Sequence, residues 1–251
     1  MNIQIAVQLY TLRNECKEDF TGMLHKVKDL GFKGVEFAGF FDTDANVLKE
    51  ILNELDLYPV SSHIGMKQLE NNFEDVIDYH KVIGCKNLVV PYCKFETLEA
   101  TKELAKRLIE ISKQLKPHDM KLLYHNHAHE FVEINGQYAL DLLFQETSGY
   151  LEAEIDTHWV RRAEINPLDY LSDHEDLIKL IHIKDMLVKE DGSYDFEAVG
   201  HGIMDIKSII KKADAMGIKW AIVENDDPVP NGLDNISKSI AYLKNEMRDI
   251  V

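Results

Sequence analysis

Lys121-Leu122-Leu123-Tyr124-His125-Asn126-His127-Ala128-His129-Glu130-Phe131 starts as an apolar run and ends in three histidines and a carboxylate. A short apolar segment is what a strand buried on both faces looks like. Imidazoles delivered at its end can bind divalent metals or move protons near neutral pH. The pattern recurs. Val60-Ser61-Ser62-His63, Leu151-Glu152-Ala153-Glu154-Ile155-Asp156 (with His158 just beyond), Leu180-Ile181-His182-Ile183-Lys184 and Trp220-Ala221-Ile222-Val223-Glu224 all carry their chemistry at the same end.

Between these segments lie helical patterns closed by Gly or Pro turns. Ile3–Leu9 is the first strand. It is followed by a helix over about Asp19–Leu30, with Phe20, Met23, Leu24, Val27 and Leu30 on one face, and by the strand Val35–Phe37. Helices are expected near 44–55, 69–83, 97–115, 138–146, 205–216 and 233–247, with a shorter one opening at Pro167. Asn87–Val90 supplies the fourth strand. Strands recur roughly every 30 residues, the size of a βαβ unit. About eight of them alternate with helices and no linker interrupts them, so residues 1–251 read as one (β/α)8 barrel domain. The open doubly wound sheet is disfavoured because Gln8-Leu9-Tyr10-Thr11-Leu12, not a glycine-rich phosphate loop, follows the first strand.

Composition narrows the function. The 251 residues are 45% hydrophobic and 29% charged, with a formal net charge of −16. That charge repels polyanions, so nucleic acid is not an expected partner. No apolar run approaches the roughly 20 residues that span a bilayer, so no membrane association is expected. Met1-Asn2-Ile3-Gln4 has no secretory character, and Cys16, Cys85 and Cys93 show no metal-type spacing. They read as reduced thiols of a cytoplasmic protein.

Barrel active sites lie at the carboxyl ends of the strands. Of eleven histidines, His63, His125, His127, His129, His158 and His182 fall at or just past strand ends, and His201 lies in a following loop. His25, His80, His118 and His174 fall elsewhere. Strand alternation turns Asp156, His182 and Glu224 toward the axis from three neighbouring strands. One imidazole and two carboxylates make a mixed ligand set suited to Mn²⁺, Co²⁺, Zn²⁺ or Fe²⁺. Two simpler roles compete: Glu224 could pair with Lys184, and the deeper Glu154 could neutralise Lys184 or support a ligand.

The chain resembles the sugar phosphate isomerase/epimerase group of the xylose-isomerase-like TIM barrels. The resemblance rests on Gln8-Leu9-Tyr10-Thr11-Leu12-Arg13, Gly34-Val35-Glu36, Ser61-Ser62-His63, Tyr124–Phe131, Ile155-Asp156-Thr157, His182-Ile183-Lys184-Asp185, Val199-Gly200-His201-Gly202 and Val223-Glu224. It implies a divalent-metal site of Glu, Asp, His and Glu on strands five to eight, the last three falling on Asp156, His182 and Glu224. At the first position many relatives read Glu-Asn-His, whereas this chain reads His125-Asn126-His127. Either His125 replaces the carboxylate, or Glu130 reaches back, or three residues and water suffice. Asp156-Thr157-His158-Trp159 departs too, with its His two rather than three residues after the Asp.

The resemblance further implies a metal-dependent isomerase or epimerase acting on a sugar by removing a proton next to a carbonyl. The alternative is a lyase or dehydratase of a keto-sugar, keto-inositol or 3-keto-glycoside. In either case His127 and Glu130 are the expected proton-transfer groups, and Glu36, His63, His158, Trp159 and Lys184 the expected contacts to a small carbohydrate. Arg13, Arg161 and Arg162 are the only loop arginines near strand ends, so a free sugar is at least as well suited as a phosphate ester. Barrels of this group often form homo-oligomers.

Overall fold

The computed structural model describes residues 2–94 and 97–247. Eight parallel strands close a barrel: β1 (Gln4–Gln8), β2 (Gly34–Phe37), β3 (Tyr58–His63), β4 (Asn87–Val90), β5 (Lys121–His125), β6 (Glu152–Asp156), β7 (Ile178–Ile183) and β8 (Trp220–Val223). Each strand pairs with its neighbours in the chain. β8 closes on β1 with Gln4 opposite Trp220 and Val7 opposite Val223. With helices between the strands, this is a (β/α)8 barrel.

Several helices begin where a side chain satisfies their first amides. Asp44 accepts from Asn46 and Val47, Thr97 from Ala100, Asp205 from Ser208 and Asn231 from Asp234. The expected helix over 69–83 is two, Met66–Asn71 and Phe73–Ile83, broken at Asn72, whose ψ of 35 leaves the helical region. The first helix runs Arg13–Leu30 with a kink at Asp19, and the Asp19 carboxylate accepts from Gly22. The expected start at Asp19 is therefore where the second half begins. Not anticipated were the helical turn Thr157–Arg162, a short antiparallel ribbon of Glu133–Ile134 with Gln137–Tyr138, and an antiparallel ribbon of Asp185–Val188 with Tyr194–Glu197 after β7.

Inside the barrel, Ala6, Val60, Val89, Leu123, Leu180 and Ile222 pack into an apolar plug separate from the larger core between strands and helices. Gly34 completes it, since a Cβ there would lie 2.6 Å from Val60 Cγ2. With side chains alternating along each strand, the next inward residues toward the carboxyl ends are Gln8, Glu36, His63, His125, Glu154, His182 and Glu224. The plug thus seals a polar layer from below.

Candidate functional site

The polar layer forms the floor of a cavity of about 540 Å³ at the carboxyl ends of the strands. His63, His125 and Glu224 line its base, and Tyr10, Tyr92, His127, Trp159, Phe196 and Asp226 contribute to its walls.

At the base, His125, Asp156, His182 and Glu224 are all buried, and each offers one atom within 4.8 Å of the others. His182 Nδ1 lies 2.8 Å from Glu224 Oε2, and His125 Nε2 lies 3.7 Å from Asp156 Oδ2. Asp156 closes β6 and caps the turn Thr157–Arg162. Its Oδ1 accepts from the His158 and Trp159 amides, while the buried Oδ2 has no hydrogen bond. That oxygen is paired with the Lys184 ammonium and faces the His125 ring; two imidazoles and two carboxylates converging there are a donor set that fits a divalent cation.

Lys184 Nζ lies 2.9 Å from Asp156 Oδ2, 2.7 Å from Glu224 Oε2 and 2.9 Å from Asp226 Oδ2. Burial alone would lower the Lys184 pKa, but Asp156, Glu224 and Asp226 raise it well above the usual range. The pairing with Glu224 expected as the simpler role is present, and the ammonium is fully engaged by carboxylates.

One step deeper, Glu36, His63 and Glu154 form a connected group. His63 Nε2 lies 2.8 Å from Glu154 Oε1 and 3.0 Å from Glu36 Oε1. Burial opposes the charged ring, yet Glu36 and Glu154 lift its pKa to about 10. Glu154 contacts His63, His125 and His182 rather than Lys184. It sits opposite His125 in the β5–β6 register.

His127 lines the cavity with its Nδ1 buried and without a hydrogen bond, and its amide donates to Glu130 Oε2 at 2.8 Å. Glu130 itself is fully buried behind the loop, accepting also from the Tyr124 hydroxyl at 3.0 Å. It groups with His127 and His129 in a separate set able to hold an ion, stands apart from the His125–Asp156–His182–Glu224 cluster, and does not line the cavity. His158 does not line it either. Its ring stacks on Phe196 at 5.0 Å with both nitrogens unbonded, and burial lowers its pKa to about 4. Trp159 does form wall, and the Arg162 guanidinium lies 5.1 Å above its ring.

Sequence reasoning missed Tyr10, Tyr92, Phe196 and Asp226. Asp226, two residues past Glu224, was open to the same alternation argument, whereas Phe196 reaches the cavity only through the ribbon. No lysine or arginine among the described residues lines the cavity: Arg13 donates to the Tyr10 and Asp226 carbonyls, and Lys184 lies beneath. No described helix is long and apolar enough to cross a membrane.

Residues 24–246 match a family model described as xylose isomerase-like TIM barrel. Among curated proteins, inosose dehydratase of Clostridium beijerinckii is 27% identical, over 85% of this chain and 85% of that one. Among solved structures, a sugar phosphate isomerase/epimerase from Parabacteroides distasonis superposes with a TM-score of 0.84 at 23% identity, covering 96% of this chain and 97% of the other. The IolI protein with a binding zinc atom superposes with a TM-score of 0.78 at 14% identity, covering 99% of each chain.

Proposed function

The chain belongs to the xylose isomerase-like TIM barrel family, and within it we propose a metal-dependent dehydratase that eliminates water from a neutral keto-sugar or keto-inositol. The observation that carries this reading is the buried His125–Asp156–His182–Glu224 cluster beneath a cavity lined, among the described residues, by no lysine or arginine. Similarity to an inosose dehydratase over 85% of both chains favours elimination over the isomerisation expected first from the motifs. Walls that carry the Asp226 carboxylate and neither lysine nor arginine favour a neutral substrate over a phosphate ester.

His125, Asp156, His182 and Glu224 would hold the divalent ion, drawn from Mn²⁺, Co²⁺, Zn²⁺ or Fe²⁺; the IolI neighbour's zinc makes that ion the first to test. When bound, the ion polarises the substrate carbonyl and stabilises the negative charge that develops as the adjacent proton leaves. His127 is the group assigned to that proton, since its ring lines the cavity and its Nδ1 makes no hydrogen bond. Glu130 holds the His127 amide from behind, a positioning role in place of the proton transfer expected from sequence. His158 likewise backs Phe196 rather than meeting substrate. Trp159 and Phe196 offer apolar faces to the ring, and Asp226 offers an oxygen to a hydroxyl. Loss of the α-proton and of hydroxide from the β-carbon leaves a carbon–carbon double bond beside the carbonyl, with water as the other product.

The test supplies each metal in turn with neutral keto-inositols and keto-sugars and with phosphorylated counterparts. The reading expects turnover of a neutral substrate that stops on chelation and falls sharply in His127→Ala. Preferential turnover of a phosphorylated ketose would overturn it.

A further inference from the structure

Two imidazoles at the cavity base share one arrangement. His125 Nδ1–H donates to Glu154 Oε1 at 3.0 Å, which leaves the lone pair on Nε2 facing Asp156 Oδ2 at 3.7 Å. His182 Nε2 lies 2.6 Å from Glu36 Oε2, and its Nδ1 faces Glu224 Oε2 at 2.8 Å. Each ring therefore has a far nitrogen bound by a glutamate and a near nitrogen turned toward an acidic side chain. A cation shared by the near nitrogens needs each of them bare, which leaves the ring N–H on the far nitrogen for the glutamate. His63 stands between the two glutamates, contacting both through Nε2, and its ring lies parallel to His182 at 5.6 Å. All three members of this strut are buried or nearly so, with side-chain exposures of 0% for Glu36 and Glu154 and 10% for His63.

We propose that Glu36 and Glu154 are positioning residues for the ion site: they fix the ring orientation and tautomer of His182 and His125, and His63 ties them together. This rests on the reading that His125, Asp156, His182 and Glu224 hold the ion. A carboxylate on the far nitrogen makes an imidazole a more basic ligand and sets which nitrogen is bare. Glu154 occupies the register position opposite His125, so the negative charge that strand five lacks returns from strand six, acting through the ring. Glu36 and His63, expected from sequence to touch sugar, are thereby assigned to the ion site.

Zinc and manganese affinities of the full-length protein, measured by competition with a chelator, test this in Glu154→Gln and Glu36→Gln against Asp156→Ala and Glu224→Ala. The glutamine variants should keep one ion per chain at an affinity about 10–100-fold weaker. The alanine variants should lose it. Nitrogen-15 NMR of the zinc-loaded wild type, which needs no variant to fold, should show the proton of His125 on Nδ1 and that of His182 on Nε2. Unchanged affinity in both glutamine variants, or the opposite tautomers, would overturn the assignment. So would loss of the ion in Glu154→Gln with retention in Asp156→Ala, which would seat it on His63, His125, Glu154 and His182 instead. Ion binding as described without turnover of any keto-sugar would overturn the proposed reaction and support this assignment.

Discussion

Asp185 anchors the wall of the cavity without touching it. It lies immediately past β7, is 1% exposed, and accepts four backbone amides: Met186 and Met204 on Oδ1 at 2.9 and 3.0 Å, Gly200 and Gly202 on Oδ2 at 2.9 and 3.0 Å. Gly202 comes so close that a Cβ would lie 2.2 Å from Oδ1. These bonds pin the loop 199–204 against the start of the ribbon that carries Phe196. In Asp185→Asn an NH2 replaces one oxygen and confronts two N–H donors. Two hydrogen bonds to a charged acceptor are lost, each worth about 1.5–3 kcal/mol, so the variant should be destabilised by about 3–6 kcal/mol. Against the roughly 5–15 kcal/mol total of an ordinary domain, that shift is large. Urea unfolding followed by circular dichroism reads it directly. Metal stoichiometry should be unchanged, since Asp185 is not among the residues grouped at the floor, while KM should rise as Phe196 loosens. A change of less than about 0.5 kcal/mol, the scale of an ordinary surface substitution, would refute the reasoning.

Lys184→Met removes the ammonium that sits among Asp156, Glu224 and Asp226, so the metal-free variant should be less stable by about 3–5 kcal/mol. Added zinc should then raise its melting temperature more than that of the wild type, as differential scanning fluorimetry would show; equal shifts would contradict this. Trp159→Ala removes an apolar wall and should raise KM about 10-fold with a smaller effect on kcat, corresponding to about 1.4 kcal/mol of substrate binding. A fall confined to kcat would assign the indole a different role. His80 gives a pH dependence away from the site. Burial lowers its pKa from 6.5 to about 4, and its Nδ1–H donates to the Val76 carbonyl at 2.6 Å. The unfolded chain binds the proton first, so the His80 contribution is complete above pH 6.5 and lost as pH falls toward 4, with a ceiling of about 3 kcal/mol. Urea midpoints should therefore fall more steeply between pH 7 and 4.5 in the wild type than in His80→Leu, and parallel curves would refute the account.

The barrel was legible because its strands are buried on both faces and read as apolar runs. Asn87–Val90 matches residue for residue, and most other strand bounds lie within one or two residues of the expectation. The approach of Asp156, His182 and Glu224 followed from the period of two alone. What stayed hidden depends on pairing between strands or on local breaks. Glu154 reads as one more inward carboxylate until the register sets it opposite His125. Asn72 breaks a helix whose apolar spacing continues on both sides, and no capping side chain marks the break. The ribbon that brings Phe196 to the cavity is short and half exposed, so it lacks the burial pattern that betrays the barrel strands. Glu130 was expected beside the proton transfer, and its burial behind the loop stayed hidden because sequence proximity to His127 says nothing of which side of the loop a carboxylate faces.

The proposed elimination is tested most directly by the mass of its product. The zinc-loaded protein is incubated with a neutral keto-inositol and the product is weighed by mass spectrometry. The account expects a product lighter than the substrate by one water, absent after chelation and in Glu224→Ala. A product of unchanged mass formed at the same metal-dependent site would contradict elimination and make the protein an isomerase or epimerase.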